Sequence, residues 1–246
     1  MASPLHEIIL LSFPDRVITV YDALSATKLT RFTGSQSPRK GLLVVGNNLI
    51  AASRVSPDIP AGSIHLYNWR SSTALRPLPV TEPVGPLVAT SDGLYIFAGG
   101  FSGHIHIHTL SLSSARVVRS FRVHLKPISC LAIDRDGSIL FSGIDDGSIA
   151  VFAIFKLLDI SSSDSNLVLH QFLGHEATVT SISNGASNFT LISCSLDCTC
   201  KFWSLSSGTP LQTVAIPSPV WGLEVEPLGS EFYVAGSDGW LYSGML

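Results

Sequence analysis

His175, Ser193 and Asp197 supply an imidazole, a hydroxyl and a carboxylate, the three side chains of a serine-hydrolase triad. In α/β-hydrolases a strained G-x-S-x-G turn holds the serine of such a site out of its sheet. No elbow of that kind surrounds Ser193-Cys194-Ser195, so a structural role is expected. Cys194, Cys198 and Cys200 invite zinc, but the C-x3-C-x-C spacing lacks the paired C-x2-C knuckles of structural zinc sites. His104, His106 and His108 alternate along one strand face. Successive same-face residues lie about 6.6 Å apart, too far for all three to reach one ion, so a polar sheet face is expected. Neither G-x-x-x-x-G-K-[ST] nor G-x-G-x-x-G occurs. No catalytic residue, cofactor or metal is therefore expected.

Binding is the other chemistry to weigh. Arg39 and Lys40, in Ser37-Pro38-Arg39-Lys40-Gly41, read either as a solvated turn or as a contact for RNA phosphates or an acidic partner. Arg116, Arg119 and Arg122 recur every third residue; in a regular strand the first and last share a face and Arg119 takes the other. Phe155, Lys156, Leu157 and Leu158 precede the polar run Ser161-Ser162-Ser163-Asp164-Ser165-Asn166. That segment reads either as a helical turn offering a partner contact on a rim or as a plain longer loop.

The elements that must position these residues form a repeat. A turn followed by an alternating strand begins at Asp15-Arg16, Ala61-Gly62, Ser102-Gly103, Asp146-Gly147, Asp197-Cys198 and Asp238-Gly239. The second turn residues, at 16, 62, 103, 147, 198 and 239, are spaced by 46, 41, 44, 51 and 41. A period of about 40–45 residues with four short strands per unit is the mark of a β-propeller. Asp-Gly turns tolerate positive φ and close tight hairpins. Five residues after each anchor stands a large ring, Tyr21, Tyr67, His108, Phe152 and Trp203, expected to pack between blades; the sixth unit has Gly244 there. The spacing of 51 marks the insertion after Phe152.

Of the 246 residues, 46% are hydrophobic and 13% charged, which excludes a disordered chain. The longest apolar runs, such as 149–155, are far short of the roughly 18 residues of a membrane span, so no membrane partner is expected. No basic segment precedes Ile8–Leu11, so no secretory signal is expected either. Four cysteines make no disulfide framework and are expected as reduced thiols. The net charge of −3 hides an asymmetry: residues 1–126 hold 12 basic and 6 acidic residues, and residues 127–246 hold 3 and 12. Such a two-signed surface can orient partners.

Gly174-His175, Ser193-Cys194-Ser195-Leu196-Asp197 and Trp203 together resemble the WD-repeat family, in which His, Ser/Thr, Asp and Trp of one blade form a buried tetrad. The resemblance implies that His175 bridges Asp197 and Ser193, and that Ser193 accepts from the Trp203 indole. It implies a partial network of His124, Ser142 and Asp146 in the fourth unit, where Phe152 replaces the Trp. It also makes Cys194 and Cys198 small residues at positions where the family commonly has glycine. No Trp-Asp-x-Arg follows a strand, which argues against a ubiquitin-ligase substrate receptor; a generic adaptor for such ligases or for chromatin peptides stays open.

One branch of the family matches more of the chain. Asp15-Arg16-Val17-Ile18-Thr19-Val20-Tyr21-Asp22, His124-Leu125-Lys126-Pro127-Ile128-Ser129, Phe155-Lys156-Leu157-Leu158-Asp159 and Val220-Trp221-Gly222-Leu223-Glu224-Val225 occur in the order seen in the WD-repeat subunit of nuclear Rix/PELP-type complexes. The resemblance implies a non-enzymatic scaffold for maturation of the large ribosomal subunit and removal of the second internal transcribed spacer, linked also to replication licensing. Its implied partners are the other complex subunits, a dynein-like AAA ATPase and the pre-ribosomal large-subunit particle, in nucleolus and nucleoplasm. Family members run to seven blades. Here a single all-β propeller domain over 1–246 is expected, with five blades and a partial sixth, incomplete at its C-terminus.

Overall fold

The computed structural model describes residues 7–13, 17–33, 37–55, 61–110, 115–161, 167–185, 190–226 and 231–245. The Asp15-Arg16 turn and the polar run 162–166 lie outside them. The described residues form six antiparallel sheets in chain order, each built from consecutive strands. The first sheet holds β1 (Ile8–Phe13), β2 (Val17–Asp22) and β3 (Lys28–Thr33). The second holds β4 (Leu42–Val45), β5 (Leu49–Arg54) and β6 (Gly62–Asn68), with the short β7 (Thr73–Ala74) and β8 (Leu78–Val80) both paired to β6.

Sheets three to five are four-stranded: β9–β12 (Val84–Ala89, Tyr95–Gly100, His104–Leu110, Ala115–Arg122), β13–β16 (Ile128–Ile133, Ile139–Ile144, Ile149–Ala153, Val168–Phe172) and β17–β20 (Val179–Asn184, Thr190–Ser195, Thr199–Ser204, Pro210–Ala215). The sixth holds β21 (Val220–Val225), β22 (Glu231–Gly236) and β23 (Leu241–Met245). Strands β9, β13, β17 and β21 adjoin one another at the inner edges, so the sheets are blades around an axis.

The expectation of five blades and a partial sixth is corrected to six blades. The sixth unit lacks the large ring at Gly244, yet its turn chemistry is intact. Asp238 accepts the Trp240 amide at 3.1 Å, Gly239 takes φ +85°, and β22 and β23 pair from Glu231–Met245 to Ala235–Leu241. The same carboxylate-capped turn recurs where Asp146 accepts the Ser148 amide and Asp197 accepts the Thr199 amide, both at 2.9 Å.

Strand alternation sends one face of each blade into a seam with its neighbour. Ile18, Val20, Ile50 and Tyr67 fill the first seam, and Val45, Ile64, Leu66 and Ile96 the second. Phe97, Ile107, Leu140 and Phe152 fill the third; Phe141, Val151, Phe172 and Trp203 the fourth; Ile192, Phe202, Val220 and Phe232 the fifth. Of the rings read from the repeat, Tyr67, His108, Phe152 and Trp203 are buried and Tyr21 is half-buried. The insertion after Phe152 forms α1 (Ile154–Leu158), whose Ile154 and Leu157 join the third-seam core. No helix among the described residues is long and apolar enough to cross a membrane.

Two local events depart from regular strand logic. In β12, pairing passes from Arg119–Ile107 to Val117–His108, leaving Val118 as a bulge. The bulge changes the side-chain parity, so Arg116 and Arg119 share a face and Arg122 takes the other, opposite to the regular-strand reading. In β13, β17 and β21 pairing skips the second residue, which is Ser129, Thr180 or Trp221.

Candidate functional site: the buried tetrad and the channel mouth

Blade five brings His175, Ser193, Asp197 and Trp203 together. His175 Nδ1 lies 2.8 Å from Asp197 Oδ2 and its Nε2 lies 2.8 Å from Ser193 Oγ. The Trp203 indole N–H donates to Ser193 Oγ at 2.8 Å. One proton arrangement satisfies every atom: the indole donates to Ser193, Ser193 donates to Nε2, and Nδ1–H donates to the carboxylate. Burial pushes the His175 pKa down, and the Asp197 partner only partly offsets it, so the imidazole is neutral and this is a hydrogen bond rather than an ion pair. For Asp197, burial acts to raise the pKa. Donation from Thr199, the Glu176 amide and His175 outweighs it and holds the carboxyl below the usual range. Ser193 is fully buried and its hydroxyl is engaged on both sides, so this set of residues cannot present a nucleophile.

Blade four holds only part of this network. His124 Nε2 meets Ser142 Oγ at 2.7 Å, and burial lowers the His124 pKa to about 4. Asp146 caps its own turn through the Ser148 amide, and Phe152 has no polar hydrogen to offer. Blade three uses another solution, unread in the sequence. Glu82 accepts the Ser102 amide and meets His106 Nε2 at 3.0 Å, while Ser120 Oγ meets His106 Nδ1 at 2.9 Å. His104 also lies against Glu82, at 3.1 Å. His108, in the place of Trp203, is fully buried with neither ring nitrogen bonded, and burial lowers its pKa to about 4. Among the described residues no group of three His, Cys, Asp or Glu side chains could hold a metal ion.

The cysteines differ from their reading as reduced thiols. Cys194 and Cys200 stand directly opposite in the β18–β19 register, Cα atoms 4.3 Å apart, and are joined as a disulfide buried in the fifth seam. Cys130 and Cys198 are free. Cys198 occupies the glycine position of its turn at φ +65°, where Gly147 and Gly239 stand in the neighbouring blades at +90° and +85°.

Arg39 and Lys40 are engaged within the chain. The Arg39 guanidinium lies 3.6 Å over the Trp221 ring, and Lys40 Nζ donates to Ser181 Oγ at 3.0 Å. They reach across the inner ends of the blades into a cavity of about 490 Å³ that Asp145, Thr180 and Trp221 also line. At the bulges, Ser129 Oγ donates to the Val179 carbonyl at 2.5 Å and lies 3.0 Å from that of Gly143; Thr180 Oγ1 lies 2.8 Å from the Val220 carbonyl and 3.1 Å from that of Cys194. Each hydroxyl spans two blades. A Ser or Thr at the second position of an inner strand was the available signal.

On the rim, Phe155 is 72% exposed while Leu157 is fully buried. Of the four α1 residues read as partner contacts, Leu157 is therefore corrected to an internal anchor and Phe155 projects. The Asp159 carbonyl accepts from the Arg119 guanidinium at 2.8 Å, fixing α1 against blade three.

Six blades, carboxylate-capped turns in blades four to six and a complete blade-five tetrad define a WD-repeat β-propeller. WD repeats are present: the WD domain, G-beta repeat matches residues 115–152 and 160–204. It is similar to Protein ROOT INITIATION DEFECTIVE 3 of Arabidopsis thaliana, 33% identical over 94% of this chain and 53% of that protein. It is also similar to Pre-rRNA-processing protein crb3/ipi3 of Schizosaccharomyces pombe, 26% identical over 89% of this chain and 50% of the relative. WD repeat-containing protein 18 of Homo sapiens is 26% identical over 91% of this chain and 51% of its own length. The chain thus spans about half the length of these relatives.

Proposed function

We propose that this chain is a non-enzymatic scaffold in a nuclear complex that matures the large ribosomal subunit and supports removal of the second internal transcribed spacer. The observation that carries the reading is similarity over nine-tenths of the chain to a relative named for pre-rRNA processing. The similarity to the plant relative over 94% of the chain supports it. The geometry agrees in kind: the polar cluster with the composition of a hydrolase is closed inside a seam, and what the propeller offers outward is rim and channel mouth.

In this reading the partners are the other subunits of the Rix/PELP-type complex, a dynein-like AAA ATPase and the pre-ribosomal large-subunit particle. Phe155 and Lys156 on the blade-four rim are the proposed contact. The test is affinity purification of the tagged chain from nuclear extract, with mass spectrometry and gradient sedimentation. Complex subunits and precursor large-subunit particles should co-sediment with the wild type, and Phe155→Asp should lose them while melting unchanged. A specific partner set without pre-ribosomal proteins overturns the reading.

A further inference from the structure

The β18–β19 hairpin is braced twice. Ser193, Asp197 and Trp203, three of the four tetrad residues, belong to it and bond toward the fourth seam. Its other face puts Cys194 and Cys200 in direct register, Cα atoms 4.3 Å apart, and their disulfide fills the fifth seam. A separation this short marks a non-hydrogen-bonded strand pair, whose side chains lie closest. Both residues are fully buried, in a cluster with Ile216, Val220, Leu223 and Phe232. Among the described residues, the buried apolar side chains of β21–β23 (Val220, Leu223, Phe232 and Val234) all lie in this one seam, whereas Leu241 and Met245 are exposed. The apolar hold on blade six is therefore the seam that the disulfide occupies. Exchange at a disulfide needs a thiolate to reach one of its sulfurs, and a closed seam admits none. Two thiols also fill more space than one disulfide, because non-bonded sulfurs stay at contact distance, and a close-packed seam has little to spare.

We propose that Cys194 and Cys200 form a reversible two-electron redox site controlled by blade six: the pair exchanges with a low-molecular-weight thiol only while the fifth seam is open, and its reduction loosens that seam. With glutathione as the thiol, one thiolate attacks a cysteine sulfur, giving a mixed disulfide and a protein thiolate that takes up a proton. A second glutathione thiolate attacks the glutathione sulfur of the mixed disulfide. Glutathione disulfide leaves, and the other protein thiolate is protonated in turn. Two glutathione thiols are oxidised and one protein disulfide is reduced; glutathione disulfide drives the reverse. The oxidised pair fastens the hairpin that carries the tetrad, and the reduced pair presses on Val220 and Leu223 across the seam. This site stands apart from the blade-four rim invoked above.

The test is the rate at which reduced glutathione opens the disulfide in the full chain, read by acid quench, alkylation and mass spectrometry. The native chain should react about a hundredfold more slowly than the chain unfolded in urea. Val220→Ala, which thins the blade-six side of the seam, should speed the native reaction about tenfold. Val84→Ala, at the matching first position of β9 in the second seam, should leave it unchanged. Amide hydrogen exchange on the wild type needs no variant: reduction should raise exchange in β21–β23 several-fold and leave β9–β12 as it was. Native reduction as fast as in urea overturns the proposal. Equal acceleration by Val84→Ala does so too, since only global unfolding would then expose the pair. Exchange in β21–β23 that is the same in both redox states removes the coupling to blade six and overturns it as well.

Discussion

His175 and Asp197 meet at 2.8 Å at one end of blade five, the first in the loop entering β17 and the second in the turn after β18. Their contact orients the imidazole that completes the chain from Trp203 through Ser193. Asp197→Ala leaves the His175 Nδ1–H only the longer 3.2 Å contact to Thr199 Oγ1 in a buried site and frees the Glu176 and Thr199 amides, so it should cost about 2–3 kcal/mol. Asp146→Ala removes a turn cap alone and should cost under about 1 kcal/mol. Thermal or urea unfolding of the two variants gives the order; the reverse order refutes the tetrad assignment.

Acid should weaken this propeller. Burial lowers the pKa of His108 and of His124 to about 4 in the folded chain, against 6.5 for a free imidazole. A depressed imidazole pKa means the unfolded chain binds the proton first. Stability is therefore complete above about pH 6.5 and is lost as pH falls toward 4. At pH 5 the loss should be about 2 kcal/mol for each group. His108→Phe removes one of the two and relieves a buried ring with no hydrogen-bond partner, so it should raise stability at pH 7.5 by about 1–2 kcal/mol. Urea unfolding from pH 7.5 to 5 should show a shallower fall in the variant.

The turn residue Cys198 is held where L side chains are strained. Cys198→Gly should stabilise by about 1 kcal/mol. Gly147→Ala should do the opposite, and more strongly. At φ +90° a Cβ there would come 2.3 Å from the His175 carbonyl oxygen, with no room to shift. Differential scanning calorimetry of both variants checks the signs.

Thiol labelling separates the four cysteines. Cys130 is buried, and burial pushes its pKa up to about 12, so it should stay inert in the native protein. Cys198 is partly exposed and should react with Ellman's reagent alone; Cys198→Ser should abolish the native reaction. After unfolding without reductant two thiols should titrate, and with reductant four. Four thiols without reductant would show that Cys194 and Cys200 are not bonded.

The repeat was legible because turn chemistry is local: an aspartate caps the same turn in blades four, five and six whatever packs around it. The members of the blade-five tetrad are legible through the resemblance of Gly174-His175, Ser193 to Asp197 and Trp203 to the WD-repeat family. The sixth unit reads as partial in the sequence, yet β22 and β23 pair in full and Asp238 caps the turn between them. Other features are register events. Whether Ser129 or Thr180 sits in a bulge depends on which residue of the partner strand faces it, and the face shared by Arg116 and Arg119 depends on Val118 being skipped. The pairing of Cys194 with Cys200 is likewise a matter of register. Arg39 over Trp221 joins opposite ends of the chain across the axis, where no periodicity points.

Ser129 and Thr180 each serve two sheets with one hydroxyl: the first reaches carbonyls in blades four and five, the second in blades five and six. A blade cut out along its own strand boundaries would leave those carbonyls behind. The repeat that duplicates without loss is therefore not the sheet but the seam, an inner strand together with the neighbour it is fastened to. Adding or removing a blade in this chain keeps those bonds only when the cut carries the fastener along.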